Sequence, residues 1–349
     1  MSQESSNQRT TQQFISHIEM LTKEIQELYC ADETPWVVGY SGGKDSTAAL
    51  ELVWNAIAGL DVEKRQKTVY VITTDTLVEN PIVSAWVDRS LKQIEKVAKE
   101  KNMPFQPNLL HPEVKDTFWV CLIGKGYPAP RIRFRWCTDR LKIRPSDRFI
   151  RNISRNSPNF RSYLVLGTRK AEGSARRKRM EEREEGRSKP RLSPYDISRP
   201  QTQFYIPIED WRTDEVWLYL MQFPNPWGYN NKDLFEMYRG ATEDNECPLV
   251  VDTSTPSCGS SRFGCWVCTM VSKDKSMEAM IQNDDEKEWM QPLLDIRNEL
   301  DLKNDRDRRD FRRIHGNVHL FERRNSDGEV QVSNIPGPYT KKWREHWLR

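Results

Sequence analysis

"VVGYSGGKDSTAALELVW", residues 37–54, passes from an apolar run through Ser41, Gly42 and Gly43 into Lys44, Asp45 and Ser46, and then into apolar residues at helical spacing. A strand, a tight loop and a helix start are expected in that order. Glycines free a backbone to approach a phosphate, and a helix start offers unpaired N–H groups at the positive end of its dipole. The stretch therefore describes a phosphate cradle. A Walker A loop would need glycine where Val38 stands and Ser or Thr where Asp45 follows the lysine, so that class is excluded.

The flanking sequence supplies the rest of a sheet. Phe14, Ile18, Leu21, Ile25 and Leu28 predict a first helix, "KTVYVITTDT" a buried strand ending in Asp75, and Asn80-Pro81 the start of a long helix bearing Val83, Trp86, Leu91, Ile94 and Val97. A strand near Phe105–Leu110, helices from about Glu113 and Thr138, and the strand "SYLVLGTRK" with Gly167 at its end follow. Strands alternating with helices predict an α/β fold with a doubly wound parallel sheet, ligands sitting at the carboxyl ends of the strands where their order reverses. The expected organisation is a disordered start over 1–12, a nucleotide domain over 13–210 with a charged excursion over 172–203 that is either mobile or a helix ordered only with a partner, and a helical, cysteine-bearing region with a tail over 211–349.

Charge is unevenly spread. The chain of 349 residues has a formal charge of only +3, yet Arg131–Arg151 holds eight Lys or Arg against two Asp, and Arg169–Arg191 ten against five acids. Such stretches suit a phosphate-bearing partner or an ordinary ion-paired surface. No apolar run approaches membrane-spanning length and the polar start lacks a signal segment, so a cytoplasmic protein with no membrane partner is expected.

Four of seven cysteines, Cys247, Cys258, Cys265 and Cys268, fall within 22 residues, separated by ten, six and two. One short knuckle with two isolated thiols suits a [4Fe–4S] cluster better than a zinc ribbon, with zinc and unliganded thiols as the alternatives. Cys137, flanked by Arg135 and Arg140, is a candidate partly deprotonated nucleophile, or else a small core residue. Cys30 and Cys121 are expected to fill the core. His315 and His319 have no carboxylate of obvious role nearby and are read as non-metal.

Ser41–Ser46, Ser-Gly-Gly-Lys-Asp-Ser, resembles the pyrophosphate loop of ATP pyrophosphatases, which cleave ATP between the α- and β-phosphates and leave AMP on a substrate oxygen. That resemblance gives Lys44 and the loop amides the departing pyrophosphate, Asp45 a Mg²⁺ ion, and Ser41, Gly42, Gly43 and Ser46 contacts to phosphate oxygens. Asp75 is a candidate for ribose or Mg²⁺, Gly167, Thr168 and Arg169 for the α-phosphate, and Arg140, Lys142 and Arg144 for the phosphate of the acceptor.

The loop, "RWCTDRLKIRP", "LGTRKAEGSAR" and "GSSRFGCWVC" occur in this order and together resemble the phosphoadenosine-phosphosulfate reductase-like family, more closely the DndC/SspD proteins of DNA phosphorothioation. The resemblance covers about residues 30–275. It implies an adenine-nucleotide α-hydrolase fold, ATP, Mg²⁺ and a [4Fe–4S] cluster as cofactors, and replacement of a DNA backbone oxygen by sulfur. The implied partners are DNA, a cysteine desulfurase and other phosphorothioation subunits, and Cys137 would be a persulfide carrier or a cluster ligand. No cysteine follows Cys268, which disfavours reduction of an adenylylsulfate. Thiolation of a tRNA base and an ATP-gated DNA-binding subunit are the competing readings.

Overall fold

The computed structural model describes residues 9–132, 134–157, 161–194, 201–242, 263–324 and 330–349. Two units are distinguished: Met1–Thr73, Ile82–Leu110 and Ser146–Phe263 form one, and Thr74–Pro81, His111–Pro145 and Gly264–Arg349 the other.

In the first unit α1 (Thr11–Cys30) opens with a capping box. Thr10 accepts the Gln13 amide at 3.2 Å and Gln13 Oε1 accepts the Thr10 amide at 2.8 Å, satisfying two orphan donors reciprocally. Order thus begins inside the stretch expected to be disordered, and Arg9 already pairs with Glu215 at 2.8 Å. The predicted stripe Phe14, Ile18, Leu21, Ile25 and Leu28 is buried. Cys30, expected in the core, is exposed, because the last residue of the helix falls outside that stripe. Cys121 is buried as expected.

The sheet follows from β1 (Trp36–Gly39), α2 (Lys44–Ala58), β2 (Val69–Thr74), α3 (Pro81–Glu100), β3 (Phe105–Leu110), α4 (Arg144–Arg155), β4 (Ser162–Val165), α5 (Ser174–Glu181) and β5 (Thr202–Tyr205). Its strand order is β3-β2-β1-β4-β5, with β1 parallel to both β2 and β4, and β4 parallel to β5. The doubly wound sheet read from the sequence is the one the chain forms. Alternate strand residues face opposite layers. Trp36, Val38, Tyr163 and Val165 join the core of α1, α2 and α3, while Val37, Leu164 and Phe204 pack with Ile150 of α4 and Met180 of α5. The order reverses between β1 and β4, which opens a crevice beyond their carboxyl ends.

The charged excursion carries a helix of its own. Its described residues include α5, which buries Met180, and the two terminal Arg187 nitrogens donate to the two Glu209 oxygens at 2.8 Å. Arg191 pairs with Glu24 of α1 at 2.5 Å. Arg187 and Arg191 thus fasten the end of the segment, while most of residues 171–189 stay exposed; residues 195–200 lie outside the described residues. The helices α6 (Thr213–Gln222) and α7 (Asn231–Arg239) complete this unit.

In the second unit the segment after Glu113 forms a 3₁₀ turn, Val114–Asp116, and a π-helical stretch, Val120–Gly124. The expected charged helical region resolves into α8 (Lys275–Asn283) and α9 (Gln291–Leu300). The tail holds an antiparallel hairpin, β6 (Leu320–Arg324) with β7 (Val330–Asn334), followed by α10 (Lys341–His346). Tyr339 anchors the tail, accepting from the Ala129 amide and donating to Asp305, each at 3.1 Å. Among the described residues no helix is long and apolar enough to cross a membrane.

Glu51 of α2 is fully buried, with Asn225 donating to it at 2.8 Å, and burial pushes its carboxyl up from 4.5 to about 8. The carboxyl is therefore neutral in the folded protein at neutral pH. A raised folded-state value gives stability that is complete below pH 4.5 and lost as the pH rises toward 8, at a slope approaching about 1.4 kcal/mol per pH unit. Glu51→Gln, uncharged and of the same shape, is expected to flatten that slope in denaturant unfolding measured across this range. An unchanged slope contradicts a neutral Glu51.

Candidate functional site

The first unit carries the phosphate cradle at the crevice. Gly42 has φ +73°, and a Cβ there would stand 2.4 Å from Val87 Cγ2, so backbone conformation and space both require glycine. The Ser41 amide donates to Ser46 Oγ at 3.1 Å, the two serine hydroxyls lie 3.0 Å apart, and Ser46 Oγ donates to Gly43 O at 2.9 Å. The serines thus hold the loop's shape from within. Gly43 caps α2 without a side-chain acceptor, and the Lys44 amide donates to the Tyr238 hydroxyl at 3.3 Å. Lys44 Nζ lies 3.2 Å from Asp45 Oδ2 and 5.2 Å above the Tyr238 ring.

The end of β4 closes on this loop. A Cβ on Gly167 would stand 2.4 Å from Asp45 O and 2.9 Å from Ser46 Cα, so only glycine lets the strand end meet the first turn of α2. Thr168 follows, and then Arg169, which is 2% exposed. Its Nε donates to Asp45 Oδ1 at 2.7 Å, and its other nitrogens reach Trp211 O at 3.1 Å and Thr213 Oγ1 at 3.3 Å. The guanidinium proposed from sequence for the α-phosphate is spent here on orienting Asp45. The sequence pointed to neither Tyr238 nor these anchors, because they lie more than forty residues from the motifs they serve and carry no motif of their own.

The second unit holds the remaining candidates. Asp75 Oδ1 accepts the Leu77 amide at 2.8 Å in a turn where Leu77 has φ +62°, and Oδ2 lies 3.7 Å from His111. Arg140 and Arg144 both grip Asp116, the latter at 3.1 Å, and Arg144 also meets Asp139 at 2.8 Å. Burial works against the Asp116 charge, but these two arginines hold its carboxyl below the usual range. Lys142 pairs with Glu79 at 3.0 Å. The basic stretch thus has carboxylate partners of its own.

Around the cysteine knuckle the chain is tightly tied. Trp266 N donates to Val78 O at 2.9 Å, Cys268 N to Cys265 O at 3.0 Å, and the buried Arg297 donates from Nε to Cys268 O at 3.0 Å. Cys265 Sγ lies 3.4 Å from Thr76 Oγ1 and 3.7 Å from Glu79, and burial pushes its thiol up to about 12. Cys137 is half-buried, and burial pushes its thiol up as well, with Cys268 close enough to add to the effect. This corrects the expectation of a partly deprotonated Cys137: Arg140 is turned to Asp116 and Arg135 to the Ile132 carbonyl, so neither offsets the loss of water. Among the described residues no three His, Cys, Asp or Glu side chains form a group that could hold a metal ion. Cys247 and Cys258 lie outside the described residues. Cys268 acts on the ionisation of both Cys137 and Cys265, and thiols are soft donors of the type an iron–sulfur cluster takes.

A profile of the phosphoadenosine phosphosulfate reductase domain matches residues 35–270, from just before β1 to just past Cys268. The chain belongs to that family. Among proteins it is similar to, the uncharacterized protein MJ0066 of Methanocaldococcus jannaschii is 27% identical over 205 residues, 58% of this chain; the chain spans about a third, 35%, of that relative's length. Of solved structures, the phosphoadenylyl-sulfate reductase of Candida auris is 14% identical, over 65% of this chain and 93% of that one, with a TM-score of 0.37. The U34-tRNA thiolase NcsA of Methanococcus maripaludis, solved with its [4Fe-4S] cluster, is 14% identical, over 85% of this chain and 82% of that one, with a TM-score of 0.38.

For this family member, Gly167→Ala is expected to cost about 1–3 kcal/mol, since the added methyl must push β4 from the first turn of α2. Gly124→Ala, whose Cβ would meet only Val120 Cγ1 at 3.5 Å, is the control and should unfold close to the parent. Equal denaturation midpoints for the two variants contradict the close approach.

Proposed function

We propose that this family member is an AMP-forming ATP pyrophosphatase that adenylylates a DNA backbone phosphate oxygen and supports its replacement by sulfur. The observation that carries the reading is the Ser41–Ser46 loop at the point where the strand order reverses, its Asp45 fixed by Arg169 and its Gly42 required by φ and by contact. ATP is the nucleotide. Lys44 and the loop amides bind the β- and γ-phosphates and take up the charge of pyrophosphate as it leaves. Asp45, held at one oxygen by Arg169 and at the other by Lys44, keeps further lone pairs for Mg²⁺ or its water.

The reaction balances as two displacements. A non-bridging DNA phosphate oxygen attacks the α-phosphorus, the α–β bond breaks, and pyrophosphate departs, leaving AMP on that oxygen. The terminal sulfur of a persulfide, delivered by a cysteine desulfurase, then attacks the DNA phosphorus and AMP leaves; a thiol supplies the two electrons that cleave the remaining S–S bond and free the phosphorothioate. Arg140, Lys142 and Arg144 could direct the acceptor phosphate only by sharing charge with Asp116 and Glu79. The proposed ligands of a [4Fe–4S] cluster are Cys247, Cys258, Cys265 and Cys268, on the spacing of these cysteines in the sequence, with Cys137 a persulfide carrier or a further ligand. Such a cluster, when bound, supplies a redox-active or sulfur-binding iron site. DNA and other phosphorothioation subunits are the proposed partners.

The test is mass spectrometry of nuclease-resistant, sulfur-linked dinucleotides from cells carrying the parent gene or a Lys44→Ala allele. Loss of these dinucleotides in the variant is expected. Unchanged phosphorothioate contradicts the reading, and loss of thiolated tRNA nucleosides instead favours base thiolation. Iron with acid-labile sulfide is expected in anaerobically purified protein, and zinc alone contradicts the cluster.

A further inference from the structure

Tyr238 of α7 touches the loop at its most sensitive point. Its hydroxyl accepts the Lys44 amide at 3.3 Å, its ring lies 5.2 Å from Lys44 Nζ, and a Cβ on Gly43 would come within 3.0 Å of its oxygen. The side chain is 6% exposed and is wedged edge-on against Trp217 at 5.3 Å and Phe263 at 4.6 Å. The helix that carries it is firmly seated. Asn230 caps it by accepting the Lys232 amide at 3.0 Å, Asn231 donates to Leu220 O at 2.9 Å, and Leu234 is fully buried.

The Lys44 amide is the first of α2, one of the donors a phosphate oxygen would take. A neutral hydroxyl at 3.3 Å is a weak acceptor for it. An ionised phosphate oxygen makes a shorter, charge-assisted bond and gains from the helix dipole as well. A buried amide with no acceptor is worse than either. We propose that Tyr238 is a phosphate placeholder: its hydroxyl satisfies the Lys44 amide while the loop is empty, and it yields that amide to a phosphate oxygen when nucleotide binds. The inference rests on the proposed binding of nucleotide phosphates by this loop. Tyr238 is then a positioning residue, which keeps the loop formed between turnovers and sets an internal competition that every phosphate must displace.

The sign of one substitution separates this role from its rivals. Tyr238→Phe keeps the ring, its edge-on contacts and the cation–π contact to Lys44, and deletes only the competing oxygen. A placeholder predicts tighter binding, because the acceptor of the Lys44 amide is lost from the empty state alone. A hydroxyl that donated to the bound phosphate would predict weaker binding, and a mere packing residue no change. From the strength of an ordinary neutral hydrogen bond, the dissociation constant should fall roughly two- to tenfold.

The experiment is calorimetric titration of the full chain with inorganic pyrophosphate, for the parent, Tyr238→Phe and Lys44→Ala, together with amide hydrogen exchange over residues 39–50. Expected are tighter binding by Tyr238→Phe, faster exchange of the loop in that variant when empty, and equal exchange in parent and variant once pyrophosphate is bound. Binding by the parent that Lys44→Ala abolishes, with Tyr238→Phe binding equally or more weakly, overturns the placeholder and leaves the loop's function standing. A parent that binds no pyrophosphate overturns the loop's function and the placeholder with it.

Discussion

The 2.7 Å bond from Arg169 to Asp45 joins the end of β4 to the first turn of α2, and the geometry of the cradle depends on it. A guanidinium with 2% exposure survives only if carboxylate and carbonyl partners meet it, so Asp45, Trp211 O and Thr213 must all be in place around it. Removing Asp45 leaves the buried Arg169 charge without its carboxylate, a loss of about 3–5 kcal/mol. The same junction explains Gly167, since no residue with a Cβ lets the two backbones come so close. Strand order, loop shape and the orientation of the acidic side chain are thus one constraint, met where the sheet reverses.

The sheet and loop were legible because their signals are local. The β-branched strand around Val69–Thr74, the apolar stripe of α1 and the Gly-Gly-Lys-Asp turn each read off a few neighbouring residues, and the parallel order follows from the alternation of strands and helices. What the loop contacts was not legible. Tyr238 lies 194 residues from Lys44 and Arg169 lies 124 from Asp45, and nothing in either segment alone announces the pairing.

Charge and thiol chemistry misled for a related reason. Arg135 and Arg140 stand beside Cys137 in the sequence, but side-chain direction sends Arg140 to Asp116, and burial of the thiol prevails. The charged segment before β5 is largely exposed, as its composition reads, but its end is tied by Glu209 and Glu24 taking up Arg187 and Arg191, pairings that no local pattern announces. The hairpin of β6 and β7 escaped notice because both of its faces are wet: Leu320 is 65% and Val332 56% exposed on one and Phe321 40% on the other, so no alternation marks it.

The proposal is that the loop holds pyrophosphate as a leaving group while α-phosphate chemistry occurs beside Asp45. The direct test is ³¹P NMR of ATP and Mg²⁺ incubated with the purified, anaerobically handled protein and duplex DNA. Signals of pyrophosphate and AMP in a one-to-one ratio, absent with Asp45→Ala, are the predicted result. ADP and inorganic phosphate as the products, at a rate unaffected by Asp45→Ala, would contradict the account.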